Sequence, residues 1–321
     1  MVGDGVVGKA LVEADIDGLV FTGSVSTGRK VAARAAERLI PCSVELGGKD
    51  AAIVLNDCDL ARTVSGLVWA SMHNAGQDCS AVERIYVEAG VADAFVDKFT
   101  AAVERLTSTP TPEPDVGPLQ NATQLRIVEA HVADAIERGA TVRCGGQPTG
   151  AGYGFAPTVL DHCDMGMLAV TEETFGPVVA IVRVADADEA VDRANASRFG
   201  LGGSVWTSDI ARGEQIARRL EVGLAHVNTH KFAGVIPGIP WTGTKETGTG
   251  IAASRHAYPV FVRPRTVIVD RNAAPEPFWL PNSEELLDMG HTLAEFQLGA
   301  YGRVFKLLGL LRKRVARVRS S

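Results

Sequence analysis

Short apolar runs and longer amphipathic stretches alternate along most of this chain. Residues 51–55 and 178–184 are continuous apolar runs typical of buried strands, whereas residues 91–106 repeat apolar side chains at helical spacing. Further strands are predicted over 18–22, 43–46, 84–87, 204–206 and 224–227. Further helices are predicted over 29–39, 59–73, 120–137, 188–195 and 210–220. This alternation predicts an α/β fold with a mainly parallel sheet.

The pattern changes after residue 231. Glycine, proline and threonine dominate residues 232–250, which predicts a long ordered loop. Residues 260–269 alternate well enough to predict one long strand. Pro275, Pro277 and Pro281 then interrupt an extension that leads into a basic tail.

Composition narrows the class of protein. The chain has 321 residues, of which 46% are hydrophobic, so it resembles neither a disordered nor a collagen-like chain and is long enough for about two domains. Its 5 cysteines include no Cys-x-x-Cys pair, so we expect neither a disulfide framework nor a metal site. Reduced thiols suit a cytoplasmic protein. The first residues lack a signal-peptide pattern, and no apolar run is long enough to span a bilayer.

Charge is distributed unevenly. The net charge is −6, yet no acid follows Glu295 while seven bases do, so the rest of the chain is acidic and unsuited to nucleic acid. One helical face of the tail is apolar and carries Val304, Leu307, Leu308, Leu311, Val315 and Val318. A basic amphipathic helix within residues 296–321 suits peripheral contact with an anionic membrane. A helix docked on its own protein is the alternative.

A first candidate site is the segment Phe-Thr-Gly-Ser-Val-Ser-Thr-Gly at residues 21–28. Gly23 and Ser24 join a predicted strand to a predicted helix. Backbone N–H groups at such a helix N-terminus suit a phosphate, and glycine permits its close approach. A tight turn without a ligand is the commoner outcome for such a loop.

A second candidate is Glu-Leu-Gly-Gly-Lys at residues 45–49. Glu45 lies at the end of a predicted strand, where a carboxylate can act as a general base on water. Pairing with Lys49 or capping of a neighbouring helix is the alternative.

A third candidate is Cys79, in a loop of small residues between a predicted helix and a predicted strand. A thiolate there could be exposed and stabilised by local N–H dipoles. An inert buried cysteine is the commoner outcome. His73 is close in sequence, but that says little about a Cys–His dyad in space.

In their order and spacing, the three segments resemble the aldehyde dehydrogenase superfamily. Further matches follow in the family's order: Glu-Glu-Thr-Phe-Gly-Pro at 172–177, a glycine-rich segment at 200–209, Asn228, and a late Pro-Trp-Thr-Gly loop that begins at 240. The resemblance covers residues 1 to about 270. It implies an aldehyde dehydrogenase-like fold, in which a mainly parallel catalytic sheet adjoins a remnant of the Rossmann-like cofactor domain.

The resemblance also implies a chemistry. Cys79 would attack an aldehyde, NAD or NADP would take up the hydride, and Glu45 would activate the water that releases the acid from a thioester. The Cys79 backbone N–H would form half of an oxyanion hole. Coenzyme A-acylating relatives usually lack the glutamate, so hydrolysis to a free acid is expected. The cofactor contacts carried over from the family are Gly23, Ser24, Gly28, Leu46, Gly47, Glu173 and Phe175.

The sequence departs from the family pattern before residue 21, where the family has a much longer stretch. The family's Pro-Trp-Asn and Lys-Pro segments and its dimerisation hairpin are absent, so we expect this polypeptide alone to be a poor or inactive dehydrogenase. Family members form homo-oligomers. The expected divisions are a cofactor-domain remnant (1–46), a catalytic domain (47–250), a C-terminal strand (251–270) and an extension with a basic amphipathic tail (271–321). A non-catalytic fragment that completes a partner and a cofactor-independent cysteine thioesterase or esterase remain alternatives.

Overall fold

The chain divides into two units, described by a computed structural model that covers residues 2–271 and 276–320. One unit extends through Arg263 and the other begins at Pro264. The divisions expected after residues 46 and 250 stay predictions. No helix in the described parts of the chain is long and apolar enough to cross a bilayer.

The first unit alternates helices and strands as the sequence predicts. Its helices are α1 (Gly5–Glu13), α2 (Val25–Glu37), α3 (Leu60–Met72), α4 (Ala89–Glu104), α5 (Ala122–Glu137), α6 (Leu168–Thr171), α7 (Ala187–Asn195) and α8 (Ile210–Ala217). Its strands are β1 (Leu19–Thr22), β2 (Cys42–Glu45), β3 (Asp50–Val54), β4 (Val82–Glu88), β5 (Thr141–Cys144), β6 (Thr158–Asp161), β7 (Val178–Val184), β8 (Phe199–Gly200), β9 (Gly202–Trp206), β10 (Leu224–Val227), β11 (Trp241–Thr242), β12 (Thr244–Lys245) and β13 (Ile251–Ala252).

A seven-stranded sheet forms the centre of this unit, in the order β10-β9-β3-β4-β7-β6-β5. Every neighbouring pair is parallel except β5 with β6. The predicted α/β class and mainly parallel sheet are therefore confirmed. A separate parallel pair, β1 with β2, places Thr22 opposite Glu45.

Both faces of the central sheet are covered. Along β3, Ala52 and Val54 belong to one apolar cluster and Ile53 to the other, because successive side chains point to opposite faces. Helices α3 and α4 contribute to the first cluster, and α5 to α8 to the second. A strand buried on both faces is apolar throughout, which is the pattern visible at residues 51–55 and 178–184.

The predicted strand over 260–269 is wrong. Residues 255–260 form a 3₁₀ helix, and no strand includes residues 261–271. Val267, Ile268 and Val269 are largely exposed. An apolar alternation becomes a strand only when a neighbouring strand supplies backbone hydrogen bonds, and no strand among the described residues pairs with this segment.

The second unit contains two helices, α9 (Glu284–Gln297) and α10 (Val304–Ser320). They pack against each other, and Val304, Leu307, Leu311 and Val315 of α10 are half-buried, whereas Leu308 is exposed. The apolar face predicted for membrane contact is therefore mostly used within the protein. The side chains of Val318 and Arg319, like Pro275, lie outside the described residues.

Candidate functional site

The candidate site is built around the Gly47-Gly48 turn that leads from β2 to β3. A Cβ atom on Gly47 would lie 2.3 Å from the Glu173 Oε2 atom, and one on Gly48 would lie 2.1 Å from the Cys79 carbonyl oxygen. Only glycine leaves room for both neighbours. The turn that follows Glu45 thus brings together three residues that are far apart in the sequence.

Glu45 ends β2 in a buried position. A Cβ on Gly250 would lie 2.6 Å from its Oε1 atom, which accepts no hydrogen bond from the described residues. Burial raises the pKa of Glu45 to about 7, although the backbone of Ala252 opposes part of that rise. The carboxyl group is therefore poised to gain or lose a proton near neutral pH. Pairing with Lys49, the alternative considered above, does not occur, since Lys49 pairs with Glu83.

Cys79 lies in the loop between the 3₁₀ turn at His73–Gly76 and β4, and it is half-buried. Burial raises the pKa of its thiol to about 12, and the negative charges of Asp78, Asp50, Glu173 and Glu45 add to the rise. These surroundings favour the neutral thiol, not the stabilised thiolate expected from the sequence. The cysteine therefore needs a base when it attacks a substrate.

Glu173 faces the same turn from another side. Its Oε1 atom accepts a hydrogen bond of 3.0 Å from the Gly48 N–H. Burial, followed by the charge of Glu83, raises the pKa of Glu173 to about 7, and the Gly48 hydrogen bond and Lys49 oppose it. The loop that carries this carboxyl group also carries Phe175, which has a φ of 48°.

Glu83 holds that loop in place. Its carboxylate accepts the backbone N–H groups of Thr174 and Phe175, each at 2.8 Å, and is paired with the buried Lys49. Gln124 donates to the Thr174 carbonyl from the other side at 2.7 Å. Neither Glu83 nor Gln124 was predicted to have a role, although a charged residue within a buried strand was a usable signal for Glu83.

The N-terminus of α2 lies next to Glu45. Ser24 accepts a hydrogen bond from the Thr27 N–H at 3.3 Å, and the Gly23 N–H donates to the Glu45 carbonyl at 3.2 Å. A Cβ on Gly28 would lie 2.2 Å from a methyl carbon of Leu46, so glycine lets the helix sit directly on the Glu45 strand. The predicted cofactor residues at 23, 24, 28 and 46 are thus gathered beside the predicted base. N–H groups in the first turn of a helix lack partners within it and suit a phosphate.

Two contacts near the cysteine loop were not foreseen, an ion pair of Lys231 with Asp78 and a contact of His230 with Asp50 at the start of β3. The Lys231 Nζ atom lies 3.1 Å from the Asp78 Oδ2 atom, and the His230 Nε2 atom lies 3.3 Å from the Asp50 Oδ2 atom. His230 is also 3.1 Å from the Ser80 carbonyl oxygen. Only the folded chain brings positions about 150 residues apart into contact, so no local pattern indicated these pairs.

Two other residues singled out from the sequence have structural partners. His73 is exposed, and its ring centroid lies 5.7 Å from that of Trp69, so a Cys–His dyad is not supported. Asn228 exchanges two hydrogen bonds with the backbone of Thr207 at 2.9 and 2.7 Å. In residues 2–271 and 276–320, no group of three His, Cys, Asp or Glu side chains is placed to hold a metal ion.

Comparison with known proteins gives consistent matches. The family model described as "Aldehyde dehydrogenase family" matches residues 1–267. A 4,4'-diapolycopene aldehyde oxidase of Methylomonas sp is 36% identical over 284 residues, which is 88% of this chain and 53% of that protein. A succinate-semialdehyde dehydrogenase [NADP(+)] of Mycobacterium ulcerans is 38% identical over 78% of this chain and 55% of its own length.

A solved structure gives the same match. The aldehyde dehydrogenase of Mycobacterium tuberculosis, complexed with NAD+, superimposes with a TM-score of 0.74 at 40% identity, over 78% of this chain and 52% of that one. The chain spans about half the length of the curated relatives it matches.

Proposed function

The chain belongs to the aldehyde dehydrogenase family, and from that premise we propose that it carries the reacting groups for oxidation of an aldehyde to a carboxylic acid with NAD or NADP. The observation that carries the proposal is the packing of Cys79 and Glu173 against the turn that follows Glu45. By their names, the matched relatives act on aldehydes and include an NADP-dependent enzyme, which supports the same activity for this site.

The residues present fit a nicotinamide dinucleotide. The first turn of α2 offers N–H groups to a pyrophosphate, and Glu173, when ionised, offers acceptors to ribose hydroxyls. The dinucleotide would be bordered by Gly23, Ser24, Gly28, Leu46 and Gly47. Phe175 would lie near the nicotinamide. When bound, the cofactor supplies the acceptor for the hydride that leaves the Cys79-bound hemithioacetal.

Cys79 acts first in this proposal. Its sulfur adds to the aldehyde carbon and its proton is passed on, which gives the hemithioacetal. Because the pKa of the thiol is about 12, a base must accept that proton, and the nearby carboxyl group of Glu45, with a pKa of about 7, is suited to do so. The Cys79 backbone N–H would stabilise the oxyanion.

Glu45 acts again in the second half. After oxidation the acyl group is held as a thioester, and Glu45 takes a proton from water as the water oxygen attacks the acyl carbon. The carbon–sulfur bond then breaks, which releases the carboxylic acid and returns the thiol. A buried carboxyl group with a pKa near 7 is well matched to this proton transfer.

The test begins with binding, because the chain covers about half of its relatives' length. Calorimetry of the purified chain with NAD and with NADP should give an isotherm that Glu173→Gln weakens and that Glu137→Gln, on an exposed part of α5, leaves unchanged. A folded chain that binds neither nucleotide would contradict the proposal and favour a non-catalytic or partner-completing fragment.

A turnover assay follows, with apolar and carboxylate-bearing aldehydes. Reduced cofactor should form slowly with the wild-type chain, as expected of a poor dehydrogenase, and not at all with Cys79→Ser. Glu45→Gln removes the base for both halves, so at most one cofactor per site should be reduced, more slowly than in the wild type, before the reaction stalls as the thioester. Ester hydrolysis that depends on both residues but needs no nucleotide would instead assign a cofactor-independent esterase.

Location and assembly complete the proposal. We place the protein in the cytoplasm on the strength of its five unpaired cysteines, and cell fractionation tests this. We also propose a homo-oligomer, because Val20, Phe261 and Val262 leave apolar surface exposed on the first unit. Sedimentation as a monomer at all concentrations would contradict it.

A further inference from the structure

The outer face of α10 carries bases without acidic partners. Lys306, Arg312 and Lys313 are exposed, and none of them forms an ion pair with a carboxylate among the described residues. Their positions fall beside Phe305 and Leu308, which are 81% and 51% exposed, on the side of the helix that faces away from α9. This face therefore combines positive charge with apolar side chains.

The hairpin tip, residues 298–306, extends from the end of α9 into the first turn of α10 and exposes large apolar side chains. Leu298 is 89% exposed, Tyr301 71% and Phe305 81%. Three large apolar side chains this exposed within eight residues are costly to leave in water. Lys306 lies immediately beside them.

The acids of the hairpin do little to cancel this charge. Glu295, the acid nearest the tip, pairs with Arg303 at 3.0 Å, and Glu285 pairs with Arg317 at 2.5 Å. Glu284 and Asp288 lie in the first turns of α9, at the end of that helix far from the tip. The sequence from Pro264 onwards holds nine bases and six acids, whereas the chain as a whole is acidic.

We propose that the second unit binds the surface of an anionic lipid bilayer, with the hairpin tip inserted among the headgroups and the outer face of α10 laid on them. Lysine and arginine near such a surface gain from its negative potential, while leucine and aromatic side chains gain from burial at the boundary with the acyl chains. Nucleic acid would match the bases but would leave the leucines in water. This inference goes beyond the proposed aldehyde chemistry and does not depend on it.

Vesicle co-sedimentation of the full chain tests the charges. We expect binding to phosphatidylserine-containing vesicles, weakened by salt, and little binding to pure phosphatidylcholine. Replacing three bases with serine should weaken binding by about a hundredfold, since each contributes on the order of 1 kcal/mol. The variant combines Lys306→Ser, Arg312→Ser and Lys313→Ser. The control removes three exposed bases of the first unit by Lys9→Ser, Lys98→Ser and Arg105→Ser, and should bind as wild type does.

A second pair of variants tests the apolar tip. Leu298→Ser with Phe305→Ser should weaken vesicle binding at least tenfold. The control, Leu39→Ser with Phe232→Ser, changes exposed residues of the same types in the first unit and should not. Far-UV circular dichroism checks that each variant folds.

Three outcomes would overturn the inference. They are no association with phosphatidylserine vesicles, equal losses in the hairpin variants and their controls, or a preference for DNA or RNA that competes the chain off the vesicles. Neither vesicle measurement needs nucleotide or turnover, so its failure is distinct from failure of the proposed function.

Discussion

At the scale of single residues, the site is defined by acidic groups crowded around a thiol. Asp78, Asp50, Glu173 and Glu45 all raise the pKa of Cys79, after the larger effect of burial. Two of these acids, Glu45 and Glu173, themselves have pKa values raised to about 7. These two carboxyl groups can exchange protons near neutral pH, as acid–base catalysis requires.

Replacing Asp78 should activate the cysteine. Asp78→Asn removes the negative charge that follows burial as a cause of the raised pKa, and it leaves the positive charge of Lys231 nearby. The loss of this negative charge favours the thiolate, so the pKa of Cys79 should fall and alkylation by iodoacetamide at pH 8 should be faster. The rate should rise about threefold for each unit of pKa, because the larger thiolate fraction outweighs the weaker nucleophilicity of a less basic thiolate. Mass spectrometry of the peptide that contains Cys79 measures the rate.

Asp164→Asn is a suitable control, because that acid is not among the causes of the raised pKa of Cys79. Unchanged or slower alkylation of Asp78→Asn would show that the neighbouring charges do not set the reactivity of this thiol.

Glu45 should make the protein less stable as the pH rises. The native state holds its proton up to about pH 7, whereas the unfolded chain loses it near 4.5, so the native state binds more protons between these values. The free energy of unfolding therefore falls as the pH rises through that range. Glu45→Gln should raise the free energy of unfolding at pH 8 by about 1–3 kcal/mol and by little at pH 4.

Chemical denaturation at the two pH values measures this difference. Glu137→Gln, at an exposed position, should show none. A lower free energy of unfolding for Glu45→Gln than for the wild type at pH 8 would contradict this prediction. It would mean that favourable contacts stabilise the ionised carboxylate in the folded state.

At the scale of elements, the turn between β2 and β3 determines whether the site forms. Gly48→Ala would place a methyl group 2.1 Å from the Cys79 carbonyl oxygen, a backbone atom that cannot swing aside. We expect a loss of about 1–3 kcal/mol in the free energy of unfolding, typical of overpacking, together with weaker nucleotide binding as the cysteine loop shifts. Gly117→Ala, with no atom within 4 Å of its new methyl group, should change neither.

Strands were predictable from the sequence where a uniformly buried run was long, whereas the buried but four-residue β6 was missed. Strands β3 and β7 are buried along their length and stood out as apolar runs. The helix predicted from residue 59 is α3, and Asp59 caps it by accepting the Arg62 N–H at 3.1 Å. Strand β5 was missed because it is a four-residue edge strand with half-exposed side chains. The segment 260–269 was wrongly predicted to be a strand. Alternating apolar residues indicate which side chains would share a face of a strand, but not whether a neighbouring strand is available for pairing.

The sequence singled out candidate members of the site but not the contacts between them. Cys79, Glu45 and Glu173 became candidates through order and spacing, which the family resemblance supplied. The Lys49–Glu83 pair and the contact of Lys231 with Asp78 depend on tertiary packing alone. The local sequence suggested a stabilised thiolate at Cys79. Of the four acids that disfavour the thiolate, only Asp78 is close to Cys79 in the sequence.

At the scale of the whole molecule, the chain forms two units, and each is stabilised internally by a different kind of contact. The first is organised around a sheet with apolar clusters on both faces. The second is small and places a charged residue at its centre, since the Arg314 side chain is 1% exposed. A small unit with little apolar core depends on such polar contacts more than a large one does.

The stability of the second unit should therefore depend strongly on Arg314. Its guanidinium donates to the carbonyl oxygens of Pro277, Trp279 and Pro281 at 2.9, 2.5 and 2.8 Å, and to the Ser283 hydroxyl at 3.3 Å. Arg314→Ala removes all of these donors at once and leaves three carbonyl groups without them, which should cost about 3 kcal/mol or more. Arg314→Lys should recover little of this, because a single ammonium group cannot reach four acceptors in a fork.

Hydrogen exchange followed by mass spectrometry locates the effect. We expect faster exchange throughout α9 and α10 in Arg314→Ala, with the central sheet of the first unit as the internal reference. Arg312→Ala, on the exposed face of the same helix, controls for loss of an arginine as such. Unchanged protection of α9 in Arg314→Ala would show that helix–helix packing alone holds this unit, and that its buried arginine could be replaced without loss of structure.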